Sequence, residues 1–407
     1  MNNLRMPFAC AIFLAFALLP GCGGGSSSSS SGGTTTVQTI ATSGANVAPI
    51  SVNGGPENNY ADAAFVSVTV CVPGTSTCQT VPDVLVDTGS SGLRVLESAI
   101  ITLPLPQQTS GGNPVVECFP FVSGNTWGPV QTADVEMAGE KASSVPIQVL
   151  NATSFDAGTY CAAPQDDVES LGANGIIGVG LFTQDCGSYC QQVQTGSGNI
   201  NLYYECSSPT SCSAIGEGLA QQLQNPVSLF TNDNNGVIIE LPAVSGDEEA
   251  TLSGSLVFGI GTQSNNALGG ATVYTANDEG NFTTTYSGNP YPDSFIDSGS
   301  NGYYFLDSSL AGITECSDEP GFYCPATTQS FSNVTNQGVN GNSGTVSFSI
   351  ANADTLFESS DFAYSELGGI SGTSAPYYFD WGLPFFFGRN VYTGLQSTTY
   401  LNGYWAY

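Results

Sequence analysis

The chain has 407 residues, with 34 acids against 4 bases, no histidine and a formal net charge of −30. That surplus repels nucleic-acid phosphates and anionic lipid headgroups, which excludes both as direct partners. The missing histidine excludes Ser-His-Asp, Cys-His and His-based zinc chemistry.

In chain order, residues 1–21 read as an export signal. Arg5 is its positive end, and Phe8–Leu19 is an apolar run of 12 residues, too short to span a bilayer. The Leu-Pro-Gly-Cys that ends at Cys22 resembles a bacterial lipobox, which implies that Cys22 is lipidated and becomes the mature N-terminus. Gly23 after it resembles signals sorted to an outer membrane. An ordinary cleaved signal with a structural Cys22 is the alternative. Residues 22–44 contain GGGSSSSSSGGTTT and form a flexible tether. The expectation is a bacterial cell-envelope protein anchored to the outer membrane by its N-terminal lipid, on either face.

Beyond residue 44 the pattern is one of strands. Only 9% of the chain is charged and 41% is hydrophobic, enough to fill two cores under a surface of Ser, Thr, Asn, Gln and Gly. Alternating runs at Ala63–Val72, Gly236–Leu241, Ala271–Ala276 and Thr345–Ile350 lie between Gly/Asn/Ser clusters and read as strands. One helix is expected, at Ala214–Leu223, ended by Asn225-Pro226. The stretch Thr231–Gly236 lacks acids where a calcium loop needs them and reads as a hairpin turn. The polar stretch Val244–Gly254 marks a change of lobe, giving units at 45–245 and 246–407.

Ten cysteines remain after Cys10 in the signal and Cys22. An even number in an exported chain reads as five disulfides. Cys71/Cys78, Cys186/Cys190, Cys206/Cys212 and Cys316/Cys324 are close pairs, which leaves Cys118 with Cys161. A metal site at Cys186 and Cys190 would need further ligands that the neighbouring sequence does not offer.

The most specific signal is a duplication. VLVDTGSSGLRV around Asp87 returns 210 residues later as SFIDSGSNGYYF around Asp297. Each copy is an apolar run ending in Asp-Thr/Ser-Gly-Ser, a strand that delivers a carboxylate to a tight turn. A second landmark follows each at the same distance: Gly178 lies 91 residues after Asp87, and Gly388 lies 91 residues after Asp297. Matched order and spacing predict two structurally equivalent halves.

These residues resemble those of the pepsin-like aspartic proteases, from about residue 60 to the end of the chain. DTGSS at Asp87–Ser91 and DSGS at Asp297–Ser300 match the family's two loops. Ile176–Gly178 and Phe386–Gly388 match the apolar-apolar-Gly segments that thread beneath them, and Gly254–Thr262 matches the strand-rich start of the second lobe. The resemblance implies an all-β, bilobal architecture: two pseudo-twofold related, β-barrel-like lobes with a cleft between them and few short helices. It implies that Asp87 and Asp297 are the catalytic pair, held by Thr88, Gly89 and Ser90 and by Ser298, Gly299 and Ser300. Two close carboxyls share one proton. The ionised one then takes a proton from water while the other donates to the scissile carbonyl of an extended polypeptide. A monomer without cofactor or metal is expected, acting at acidic pH. Residues 23–60 contain no Lys or Arg, so the basic prosegment of the family is missing and activity should be constitutive.

Three departures bear on activity. Leu93-Arg94-Val95 has Arg where the family carries an aromatic residue. The stretch expected to form the substrate-covering flap offers Phe121 and Trp127 but no tyrosine. Arg389 follows Gly388 where the family carries an acid, and reads as a structural ion-pair partner. A catalytically silent pepsin-fold lipoprotein that binds peptides or proteins is therefore the alternative function. A disulfide-rich adhesin would account for the tether and cysteines but not for the duplicated loops.

Overall fold

The computed structural model describes residues 38, 40–100, 103–150, 154–196 and 199–407. The expected export signal, Cys22 and most of the tether lie outside those residues. Strands are the main regular structure of the described part, and its α-helices are the four-residue turns Val168–Leu171, Ser308–Ala311 and Ala353–Leu356, each capped by an Asp or Asn side chain.

Alternation explains the first lobe. In Ala64–Cys71, Val66, Val68 and Val70 point inward while Ser67 is exposed. This strand pairs antiparallel with Cys78–Asp87, which runs parallel to Gly175–Val179. The strands Ser91–Leu96, Glu140–Leu150 and Gly124–Met137 continue the sheet, and Gly124–Met137 pairs back onto Ala64–Cys71, curling the sheet into a barrel. In the second lobe, Asn289–Ile296 pairs antiparallel with Phe282–Tyr286 and parallel with Phe379–Trp381. Phe379–Trp381 in turn pairs antiparallel with Tyr303–Phe305.

A sheet built from both halves joins the lobes. Val47–Val52, Leu252–Phe258, Gly236–Leu241, Arg389–Gly394, Tyr404–Ala406 and Val273–Thr275 lie side by side in that order. The polar stretch at Val244–Gly254 therefore connects two strands of this shared sheet. Gln38 Nε2 donates to the Leu241 and Arg389 carbonyls, so the chain docks on this sheet before residue 45. Asp62 adds a direct tie between lobes: its N–H donates to the Phe362 carbonyl, and its Oδ1 accepts from Tyr364 N–H at 2.7 Å.

All five disulfides form with the expected partners: Cys71–Cys78, Cys118–Cys161, Cys186–Cys190, Cys206–Cys212 and Cys316–Cys324. Each of the four strand runs read from alternation contains a strand.

Two local expectations fail. Residues 215–223 form no helix, because Glu217 N–H is taken by the Cys190 carbonyl and Gly216 lies against the Gln191 backbone too closely for a side chain. Tertiary hydrogen bonding overrides a short run of good helix formers. The stretch 231–236 is a loop leading from the one-turn helix Pro226–Leu229 into the shared sheet, not a hairpin. Its buried Asp233 accepts from Thr262 Oγ1 and Gln263 Nε2.

Candidate active site

Asp87 and Asp297 stand at the ends of two central strands. Val84, Leu85 and Val86 are all buried because Cys78–Asp87 is paired on both sides, which is why this strand reads as a continuous apolar run. The carboxyl group at its end is thereby set on a rigid support. Asn289–Ile296 does the same for Asp297 between Phe282–Tyr286 and Phe379–Trp381.

The two turns interlock. Thr88 N–H donates to Ser298 Oγ at 3.1 Å, and Ser298 N–H donates to Thr88 Oγ1 at 2.9 Å. The Thr88 hydroxyl then donates to the Ile296 carbonyl and the Ser298 hydroxyl to the Val86 carbonyl. All four bonds cross between lobes, and exchanging the two loops reproduces the set.

Each carboxyl is then oriented by its own loop. Gly89 N–H donates to Asp87 Oδ1 at 2.7 Å and Gly299 N–H to Asp297 Oδ1 at 2.8 Å. Ser90 Oγ donates to Asp87 Oδ2, and Ser300 Oγ lies 3.1 Å from Asp297 Oδ2. The glycines are demanded by space. A Cβ on Gly89 would stand 2.7 Å from the Asp297 carboxyl, and one on Gly299 would stand 2.9 Å from Asp87 Oδ1. Each carboxyl thus lies over the opposite loop, against the glycine next to the other. Burial first, then the charges of Asp87 and Asp380, hold the Asp297 carboxyl well above the usual carboxylate range.

Asp380 is a third acid at this site, and the sequence reading missed it. Its Oδ2 lies 2.6 Å from Ser300 Oγ. Burial pushes its carboxyl up to about 8, with Asp87 adding to the rise and the Ser300 hydrogen bond opposing it. The spacing in the sequence points to Phe386–Gly388 as the threading segment of the second lobe, and this leaves Asp380 out. The parallel partners of Val86 and Asp87 are Ile177 and Gly178, and the parallel partner of Ile296 is Trp381. The counterpart of Ile176–Gly178 is therefore Asp380-Trp381-Gly382, not Phe386–Gly388. A Cβ on Gly382 would meet the Gly302 carbonyl at 2.1 Å, as expected for a segment pressed under the loop. Gly388, at φ 74°, instead turns the chain into Arg389–Gly394 of the shared sheet. Its 91-residue offset is coincidental. An acid in the first place hides the apolar-apolar-Gly pattern at 380–382, although Trp-Gly after the aromatic run Tyr377-Tyr378-Phe379 is the usable signal.

The departures noted in the sequence resolve locally. Arg94 is fully buried: it donates to the Ser91 carbonyl, pairs with Glu117 at 3.1 Å and Asp185 at 3.3 Å, and lies over the Phe119 ring. Trp127 does not face a cleft. It is also fully buried beside the Cys118–Cys161 disulfide, with Nε1 donating to the Phe155 carbonyl. Phe121 packs on the side of the first lobe that carries Leu150 and Ile176, and the hairpin tip beside it is tied down by Asn125 Nδ2 to the Ala162 carbonyl. The hairpin residue facing the site is Phe119. It lines a cavity of about 260 Å³ beside Thr88 and Gly89, together with Phe182, Phe295 and Trp405 from both lobes. Arg389 forms no ion pair among the described residues, and instead donates to the Phe385 carbonyl and stacks on that ring.

Among solved structures, the crystal structure of aspartic proteinase from Irpex lacteus is similar over 88% of this chain and 96% of that chain, with a TM-score of 0.50 and 15% identity. At that identity the likeness is one of fold, and the bilobal, all-β, pepsin-like fold is shared. No curated protein matches the chain. The family described as "Protein of unknown function (DUF3443)" matches residues 42–407, and the chain belongs to it.

Proposed function

We propose that the protein is an aspartic-type endopeptidase that hydrolyses extended polypeptide at acidic pH through Asp87 and Asp297. The observation that carries this reading is the reciprocal placement of the two carboxyls, each against the opposite glycine and each oriented by its own amide and hydroxyl. Such a pair holds one proton at acid pH, and the raised Asp297 carboxyl is the one that keeps it. Asp87 accepts a proton from the attacking water while Asp297 gives its proton to the scissile carbonyl oxygen, forming a neutral diol. Collapse of the diol returns a proton to the leaving nitrogen, and no bond to the protein forms. The aromatic cavity beside Thr88 receives an apolar side chain of the substrate.

The polypeptide is thus the proposed partner of the cleft, with a lipid on Cys22 fastening the protein to the outer membrane. Calorimetry with a statine-type transition-state analogue tests the active-site reading. Binding is expected at acid pH, weakening as pH rises and absent from Asp87→Asn. A folded protein that binds no such compound at any acid pH contradicts it.

A further inference from the structure

The Asp380–Ser300–Asp297 chain has a feature that the two-carboxyl mechanism leaves unused. Ser300 Oγ is 2.6 Å from Asp380 Oδ2 and 3.1 Å from Asp297 Oδ2, yet a hydroxyl carries one proton. If both carboxyls were ionised, one would face a serine lone pair with nothing between them. Asp380 is only 6% exposed, and its Oδ1 is buried with no hydrogen-bond partner among the described residues. An anion in that position is poorly compensated. The arrangement closes when Asp380 is protonated: it donates to Ser300, and Ser300 donates to Asp297.

We infer that Asp380 is a positioning residue that stores a proton for the dyad and passes it along Ser300 to Asp297, extending the proposed hydrolysis toward neutral pH. The transfer balances. Asp380 Oδ2 gives its proton to Ser300 Oγ as the Ser300 proton moves to Asp297 Oδ2, leaving a carboxylate at 380, a carboxylic acid at 297 and an unchanged hydroxyl. The titratable groups facing Asp380 are Asp297 and Asp87 from the loops and Tyr304 on the paired strand, with Tyr303 beside it. The described cations are engaged elsewhere: Arg94 and Lys141 within the first lobe and Arg389 on Phe385. The first lobe has no such store. Its residue in the same register is Ile176, and Ser90 serves Asp87.

The inference rests on the proposed hydrolysis, and its test separates the two. The pH profile of polypeptide cleavage is recorded for the wild type, Asp380→Asn and Asp380→Ile, each scaled to its own maximum. Neither variant carries a titratable carboxyl at 380, so neither can release a proton along Ser300. Both should lose activity in one ionisation, at a midpoint at least about one pH unit below that of the broader wild-type limb. Overlay of Asp380→Asn on the wild type, with only Asp380→Ile impaired, would show a merely structural role and overturn the inference. A second readout needs neither cleavage nor a folded 380 variant. Carbon-13 NMR of the Asp carboxyls in the wild type should show Asp380 titrating in two coupled steps with Asp297. A single independent step overturns the proton sharing. Coupled titration in a protein that cleaves nothing would overturn only the proposed hydrolysis.

Discussion

The two loops share one frame and differ in what lies beneath it. In both lobes an Asp accepts from the glycine amide two residues on and from the serine three residues on, and a glycine-ended strand passes underneath. Under the first loop the register places Ile176 and Arg94. Under the second it places Asp380 and Tyr304. The shared frame sets the geometry of the pair, and the differing residues set its electrostatics. In the first lobe the charge is buried away from the carboxyl, in an Arg94–Glu117–Asp185 cluster that fastens the hairpin. In the second lobe an acid, Asp380, is aimed at the carboxyl through Ser300.

The largest effect breaks the shared frame at its chemistry. Asp87→Asn and Asp297→Asn should each lower cleavage by at least about 10³-fold, and the double variant by little more, because the carboxyls act as one unit. Peptide-bond cleavage followed by mass spectrometry checks this, and additive losses would contradict a single dyad. Gly89→Ala and Gly299→Ala come next. Each adds a methyl inside 3 Å of the opposite carboxyl, so the pair must separate, and a loss of about 10²-fold in turnover is expected from either side. A difference of more than tenfold between them would show that the frame is less symmetric than its hydrogen bonds.

The lobes should then part company. Arg94→Met leaves Glu117 and Asp185 buried without their cation and should destabilise the fold by about 3–5 kcal/mol, whereas Tyr304→Phe at the matching position removes a neutral hydroxyl bonded to Asn301 Oδ1 and should change denaturant stability less. The last effect is a slope. A carboxyl raised to about 8 adds stability below its unfolded value near 3.8 and loses it as pH climbs toward about 8. Asp380→Ile should therefore flatten the pH dependence of unfolding in that window. Ile176→Val should leave it unchanged.

Much of this site was legible in the sequence because its parts are short-range. The duplicated Asp-Thr/Ser-Gly-Ser turns need glycine and hydroxyl at set offsets, and the close cysteine pairs have few other partners. The elements set by tertiary contact were not legible. The helix expected at 214–223 yields to the Cys190 carbonyl. The flap residues Phe121 and Trp127 pack inward because the hairpin tip is tied to the 162–165 loop. Asp380 escaped notice because only the parallel pairing of Ile296 with Trp381 reveals which Gly lies under the second loop.

The proposed function requires Asp87 and Asp297 to hydrolyse peptide bonds together. Incubation of the protein with a denatured polypeptide between about pH 2 and 7, with products mapped by mass, is the most direct test. Cuts are expected at acid pH, fading toward neutrality and vanishing in both single Asn variants. A folded wild-type protein that leaves the polypeptide intact throughout, or cuts that survive in either variant, would contradict it.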